Sequence, residues 1–464
     1  MNKRILGLAL PNIVTNITVP LLGMVDMAIV GHLSGDHIGA IAIGTQIFNL
    51  IYWNFGFLRM GTSGFTAQAF GAERWDETVK ILIRASAIAL SIAFLIIALQ
   101  WPISLAVPLI FEGSNHVLGL ALTYFFVRIW AAPATLGLYA IKGWFIGMQD
   151  SKTPMWIAIA LNCVNIVLSL LFVVVLKWDI FGVALGTVLA NYTGLLLGII
   201  FLRRKFHRNH HLSILQSFNL STIKTALRWK DMLRFFKVNG DIFLRTVCLA
   251  AVFTFITAAS GRISDEVLAI DALMLQFFTL FSYIMDGFAY AGESLVGRYI
   301  GARDSSNLHL SIRYLLLWGL GLTIGFTILY AVWGNAFLRL FCDDTEIIFG
   351  AQQYIFWILI VPVCGFSAFL FDGIFVGATA SRTMRNTMFV ASVTFFAVYF
   401  GGKTIWDTSQ SPTLANNILW AAFMVYLTMR GLLQAAFLHK SIFSQVDGNI
   451  IMNKTNNNYK TLIL

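Results

Sequence analysis

Asp26 lies in LALPNIVTNITVPLLGMVDMAIVG, an otherwise apolar stretch with no basic residue inside it. A charge held in hydrocarbon is unfavourable by about 2.5 to 3.5 kcal/mol on the insertion scale. Binding a proton or a cation offsets that penalty, which makes Asp26 a candidate coupling site. Asn12, Thr15, Asn16, Val19, Gly23 and Asp26 follow the three- and four-residue spacing of one helical face. Pro11 and Pro20 in the same stretch each remove a backbone donor and make bending easy there.

A second polar group lies further on. Asn162, Asn165 and Ser169 share one face of PMWIAIALNCVNIVLSLLFVV, and Thr187 and Asn191 stand one turn apart in the next apolar run. They read either as a polar pocket facing Asp26 or as side chains that join membrane helices by hydrogen bonds. In the C-terminal half, Asp241 and Arg245 are four residues apart and able to pair on one helix face. Asp271, Asp286, Glu293 and Asp372 also fall within apolar runs. This charged cluster reads either as a structural ion-pair network or as part of a transport path.

The elements that must position these residues follow from composition. Of 464 residues, 58% are hydrophobic and 12% charged, against about 25% charged in a soluble domain. That excludes an ordinary soluble enzyme. With about 20 apolar residues needed per crossing, the hydropathy places twelve spans at roughly 8–30, 38–60, 81–107, 117–147, 154–176, 180–202, 238–260, 267–297, 310–333, 347–377, 384–402 and 415–438. The fold class is therefore an all-α polytopic membrane protein.

With the N-terminus inside, 23 Lys and Arg residues fall in cytoplasmic segments and 4 in outside loops, which fixes both termini in the cytoplasm. The net charge of +10 thus orients the chain, and no nucleic-acid partner is expected. The opening MNKRILGLAL leads into a long span with no A-x-A-like cleavage site, so it reads as a retained first helix. The four cysteines show no C-x-x-C spacing and the histidines sit in or beside connecting segments, so neither disulfide nor metal is expected. GGKT at 401–404 resembles the end of a phosphate loop, but its first glycine would fall on Ala397. No cofactor is expected; coupling to an ion gradient, of H+ or alternatively Na+, takes the place of ATP.

A shift of 230 residues superposes the two halves. Gly31/Gly261, Ser34/Ser264, Ala42/Ala272, Gln46/Gln276, Phe48/Phe278 and Leu50/Leu280 are identical, and FIGMQDSKT from Phe145 pairs with FVGATASRT from Phe375. Six spans per copy make a parallel repeat, the architecture of a transporter whose two lobes rock about a substrate for alternating access. The expected organisation is an N-lobe at 1–202, a basic cytoplasmic linker at 203–237 suited to anionic headgroups, a C-lobe at 238–440 and a polar cytoplasmic tail at 441–464.

The runs LPNIVTNITVPLLGMVDMAIVGHL, WFIGMQDSKTPM, DGFAYAGESLVGRYIGARD, FDGIFVGATASRTMRN and WAAFMVYLTMRGLL resemble the multidrug and toxic compound extrusion family, and within it the DinF-like bacterial branch. The resemblance covers essentially residues 5–440. It implies twelve helices in two six-helix lobes in a bacterial inner membrane, exporting small cationic or amphipathic organic compounds in exchange for H+ or Na+. By that resemblance Asp26 matches the protonatable acid of the first helix and Pro11 the proline at which that helix bends. Asn165 matches the asparagine of an N-x-x-x-D pattern, and Thr187 matches a threonine of the same site. The acid of the pattern falls on Ser169 here, leaving Asp26 as the single carboxylate. Asp372 resembles the cation-binding acid of other branches, and Asp241, Arg245, Asp286 and Glu293 match polar positions of DinF-like members.

The expectation is a proton-coupled, monomeric antiporter with small-molecule substrates and membrane lipids as its partners. The alternatives are Na+ coupling and a lipid or polysaccharide-precursor flippase. One carboxylate favours H+, because a hard cation wants several oxygen ligands.

Overall fold

The computed structural model describes residues 1–31, 35–111, 113–210, 218–406 and 411–447. Among them the chain is helical without a strand. Lipid offers no partner to an open peptide group, so each crossing must satisfy its own hydrogen bonds. Twelve helices are long and apolar enough to cross a membrane, the number the hydropathy predicts. The first set is α1 (Asn2–Gly31), α2 (Gly35–Trp53), α3 (Phe57–Gly71), α4 (Trp75–Ala98), the short α5 (Gln100–Ile110), α6 (Asn115–Arg128), α7 (Ala132–Gly147), α8 (Lys152–Leu170) and α9 (Asp179–His210). After α10 (Leu220–Ala226) come α11 (Trp229–Ile263), α12 (Asp265–Gly301), α13 (Ser305–Phe341), α14 (Thr345–Gln352), α15 (Ile355–Gly377), α16 (Ser381–Ile405) and α17 (Pro412–Leu438).

Several boundaries differ from the hydropathy, for local reasons. The second span runs on to Gly71 through a tight turn at Asn54–Gly56. Thr62, Ser63 and Thr66, which lower its hydropathy, are buried against protein, and hydropathy does not distinguish faces. The third span stops at Ala98 and α5 starts afresh, with Pro102 in its first turn, where a missing N–H does no harm. The fourth span is interrupted at Ile129–Ala131, just before Pro133. The tenth begins at Ile355, because Asp344 caps α14 as a separate helix by accepting from the backbone N–H of Glu346 and Ile347. Outside the spans, Asp304 caps α13. The side chain and then the backbone N–H of Asn307 hold its carboxyl below the usual carboxylate range.

The chain divides into two compact units, Leu10–Asn239 and Met1–Ala9 with Gly240–Leu464. In the first, Gly143 of α7 lies against the Arg59 backbone of α3, and Gly147 against the Ser63 carbonyl. In the second, Gly373 of α15 lies against the Ala289 backbone of α12, and Gly377 against the Glu293 carbonyl. Neither pair leaves room for a Cβ. Both contacts of the first unit recur 230 residues later in the second, so the duplicated sequence packs the corresponding two helices on the corresponding glycines.

Within the second unit the first residues are tied down: Arg4 donates to the Tyr299 hydroxyl at 3.1 Å, and the Trp318 indole to Asn2 Oδ1 at 3.1 Å. In the first unit, α10 packs on α4, where Arg84 donates to the Ala226 carbonyl at 2.8 Å and pairs with Glu77 at 2.6 Å. Part of the segment read as a basic linker is therefore ordered against the first unit. Residues 211–217 of that segment and 448–464 of the tail lie outside the described residues, as does Ser34 of the repeat.

Candidate functional site

In the Leu10–Asn239 unit, Asp26 is 1% exposed, near the end of α1. Its Oδ2 accepts from the Thr187 hydroxyl of α9 at 3.3 Å, and Thr187 in turn accepts from Asn165 Nδ2 of α8 at 3.1 Å. Asp26 Oδ1 and Asn165 Oδ1 are buried without a hydrogen-bond partner among the described residues. The Thr187 oxygen is also 3.1 Å from the Val183 carbonyl one turn back. The polar chain continues on α9, where Asn191 donates to the Thr187 carbonyl at 2.8 Å and accepts from Thr135 of α7 at 3.2 Å.

The structure thus joins Asp26, Asn165, Thr187 and Asn191 through short contacts. It does not bring the other polar residues of the face to the acid. Asn162 donates to the Thr18 carbonyl of α1 at 2.8 Å, a bond that joins two helices. Asn12 donates to Ser151 Oγ at 2.9 Å, fourteen residues from Asp26 and so about 20 Å along the helix. Asn16 is half-buried between them. Ser169 is buried against α9, where a Cβ on Gly186 would come within 2.8 Å of its Oγ. Pro11 and Pro20 both lie inside α1, which runs as one helix over Asn2–Gly31. The polar face therefore serves both readings, a short acid-centred chain at one end and helix packing along the rest.

Arg128, at the end of α6, was legible only as a basic residue inside a span. Its charge bears on Asp26, yet among the described residues the two form no ion pair. The guanidinium instead donates to the Tyr124 hydroxyl at 2.5 Å and lies 4.9 Å over the Phe48 ring. An Arg held on aromatic faces has its charge satisfied there without an ion pair to the acid.

The C-terminal unit arranges its charges differently. Asp241 and Arg245 do not pair along their helix, contrary to the spacing. Asp241 accepts from Arg385 at 2.6 Å and from Ser381 at 2.9 Å, both on α16. Arg245 donates to Asp372 of α15. A neighbouring helix offers each group a partner in the protein interior, where pairing matters more than on an open helix face. Asp372 also accepts from Arg430 at 2.7 Å and from Gln434 at 2.9 Å, both on α17. Asp286 is half-buried and Glu293 buried, both on α12. Asp271 meets Ser260, Asn416 and Trp420. Sequence reading missed the roles of Arg430, Gln434, Asn416 and Trp420; the signal for Arg430 was a guanidinium inside an apolar run.

The sequence pattern of the MatE family matches residues 11–171 and 242–400, once in each half. The chain is 35% identical over 436 residues to DNA damage-inducible protein F of Escherichia coli (strain K12), covering 94% of this chain and 91% of that protein. It is 22% identical over 464 residues to Multidrug and toxin extrusion protein 1 of Homo sapiens, covering 95% of this chain and 77% of that one. A crystal structure of MATE in the bent conformation has the same fold, with a TM-score of 0.83 at 16% identity over 96% of both chains.

Proposed function

We propose that this chain, which belongs to the MatE family of membrane transporters, exports cationic or amphipathic small molecules in exchange for protons, with Asp26 as the proton carrier. The observation that carries the reading is the surroundings of Asp26. The Thr187 hydroxyl donates to it at 3.3 Å, and a hydroxyl serves an ionised or a protonated carboxyl equally, since it both donates and accepts. An acid so surrounded can gain and lose a proton without breaking its neighbours' hydrogen bonds. The multidrug function named for the human relative supports the substrate class. The charge asymmetry of 23 inside to 4 outside and the similarity to the Escherichia coli protein support a bacterial inner membrane with both termini cytoplasmic.

In this mechanism a proton on Asp26 removes the charge and lets α1 settle into a less hydrated arrangement, with Pro11 and Pro20 permitting the bend. Loss of the proton to the other side restores the charge and favours the hydrated arrangement. The two arrangements alternate access to the two faces of the membrane, and the gradient supplies about 2.3 kcal/mol per charge per 100 mV. Na+ is the second reading, because Asp26 Oδ1 and Asn165 Oδ1 are buried acceptors with no hydrogen-bond partner among the described residues, and a cation would take such oxygens too.

Efflux of a cationic dye from vesicles containing the purified protein, with H+ and Na+ gradients imposed separately, decides between them. A proton gradient alone should drive dye movement, and Asp26→Asn should reduce it to background while the protein still inserts. Wild-type efflux by that variant would remove Asp26 from the mechanism, and movement driven by Na+ alone would favour the second reading.

A further inference from the structure

Asp271 of α12 is 1% exposed and belongs to no ion pair among the described residues. Its two oxygens meet different kinds of group. Oδ1 accepts from Asn416 Nδ2 at 3.0 Å and from Trp420 Nε1 at 2.8 Å, both on α17, and such N–H groups only donate. Oδ2 meets the Ser260 hydroxyl of α11 at 2.5 Å, and a hydroxyl can accept as well as donate. The same Ser260 oxygen is 2.9 Å from the Ile256 carbonyl, which can only accept. One hydroxyl has one hydrogen for these two contacts. A carboxyl proton on Oδ2 supplies the second, with Ser260 accepting it and passing its own to Ile256.

Asp372 shows the opposite construction in the same unit. Both of its oxygens accept from N–H donors, two guanidiniums on Oδ2 and the Gln434 Nε2 on Oδ1, and among its hydrogen-bond partners there is no hydroxyl to accept a proton from it. The position of the Asp271 cluster also echoes the first unit. The 230-residue shift carries Asp26 onto Ile256 and Thr187 onto Asn417, the neighbour of Asn416. The second unit thus keeps a buried acid among corresponding turns of α11 and α17, delivered from α12.

We propose that Asp271 is a second proton-binding site, holding H+ on Oδ2 with Ser260 as acceptor and with Asn416 and Trp420 fixing Oδ1. Among the charged groups of the packed elements, Arg245 of α11 is paired with Asp372 and Asp241 with Arg385, and Asp286 and Glu293 lie further along α12. Arg262 of α11, Asp265 and Glu266 of α12, and Arg339 of α13 are exposed. Asp344 and Glu346 at the start of α14 and Lys403 of α16 are exposed too. Asp372 of α15 is held by its arginines, and α17 has no charged residue before Arg430.

Infrared spectroscopy of the purified full-length protein, titrated with acid and base, tests this through the C=O band of protonated carboxyls. Asp271→Asn should delete one such band that wild type shows and loses on raising the pH. Ser260→Ala should shift that band by removing its acceptor, and it serves alone if Asp271→Asn fails to fold. Asp26→Asn, measured alongside, should leave the Asp271 band in place, so failure of either acid's role is read separately. A spectrum in which neither Asp271→Asn nor Ser260→Ala changes any protonated-carboxyl band overturns the proposal.

Discussion

Asp26 in the Leu10–Asn239 unit and Asp372 in the unit built on Gly240–Leu464 are both buried acids within apolar helices, but they are constructed for different tasks. Asp372 is fastened by Arg245, Arg430 and Gln434; one carboxyl group against two guanidiniums ties α11, α15 and α17 together. Asp26 accepts from the Thr187 hydroxyl and has one oxygen without a hydrogen-bond partner among the described residues, while Arg128, whose charge bears on it, is engaged by Tyr124 and Phe48. A protein that must lock one charge and load another can use the same residue type for both. The donors around it decide which task it performs. Aligned positions even exchange sign, since Lys142 of the first copy falls on Asp372 of the second.

The largest effect should come from Asp372→Asn, which leaves two buried guanidiniums without their counter-charge. Breaking a buried pair this way destabilises by about 3 to 5 kcal/mol, read as a fall in the thermal unfolding midpoint of the solubilised protein. Asp26→Asn keeps an amide oxygen that can accept from Thr187 and should cost no more than about 1 kcal/mol in the same measurement. Equal losses would break the contrast.

Gly143→Ala and Gly373→Ala test what the two units share. Each places a methyl against a neighbouring backbone and should destabilise by about 1 to 3 kcal/mol. The two should fall alike if the duplicated packing is equivalent, and a large loss at one site with none at the other would show that the repeats have diverged in their core. The smallest effect is expected from Thr187→Val, which removes the Asp26 hydrogen bond at nearly constant volume, worth about 0.5 to 1.5 kcal/mol. The pH at half-maximal dye efflux should move in this variant, whereas Gln434→Leu beside Asp372 should leave it in place. An unchanged profile for Thr187→Val would argue that the hydroxyl only packs helices.

Hydropathy alone determined that this chain crosses a membrane twelve times, because lipid compels any span to be a long apolar helix, whatever its neighbours are. The 230-residue shift likewise fixed the duplication, and the cost of a charge in hydrocarbon marked Asp26 and Asp372. Tertiary structure decided which groups those acids meet. Arg245 was four residues from Asp241 and yet turned to Asp372, and Asp271 found Ser260, Asn416 and Trp420 on two other helices. The span limit at Gly71 was also decided there, since a polar residue that faces protein lowers hydropathy without ending a helix. Spacing along a chain reports which residues share a face; which partner that face meets depends on helices far away in sequence, and a carboxyl's protonation follows the partner.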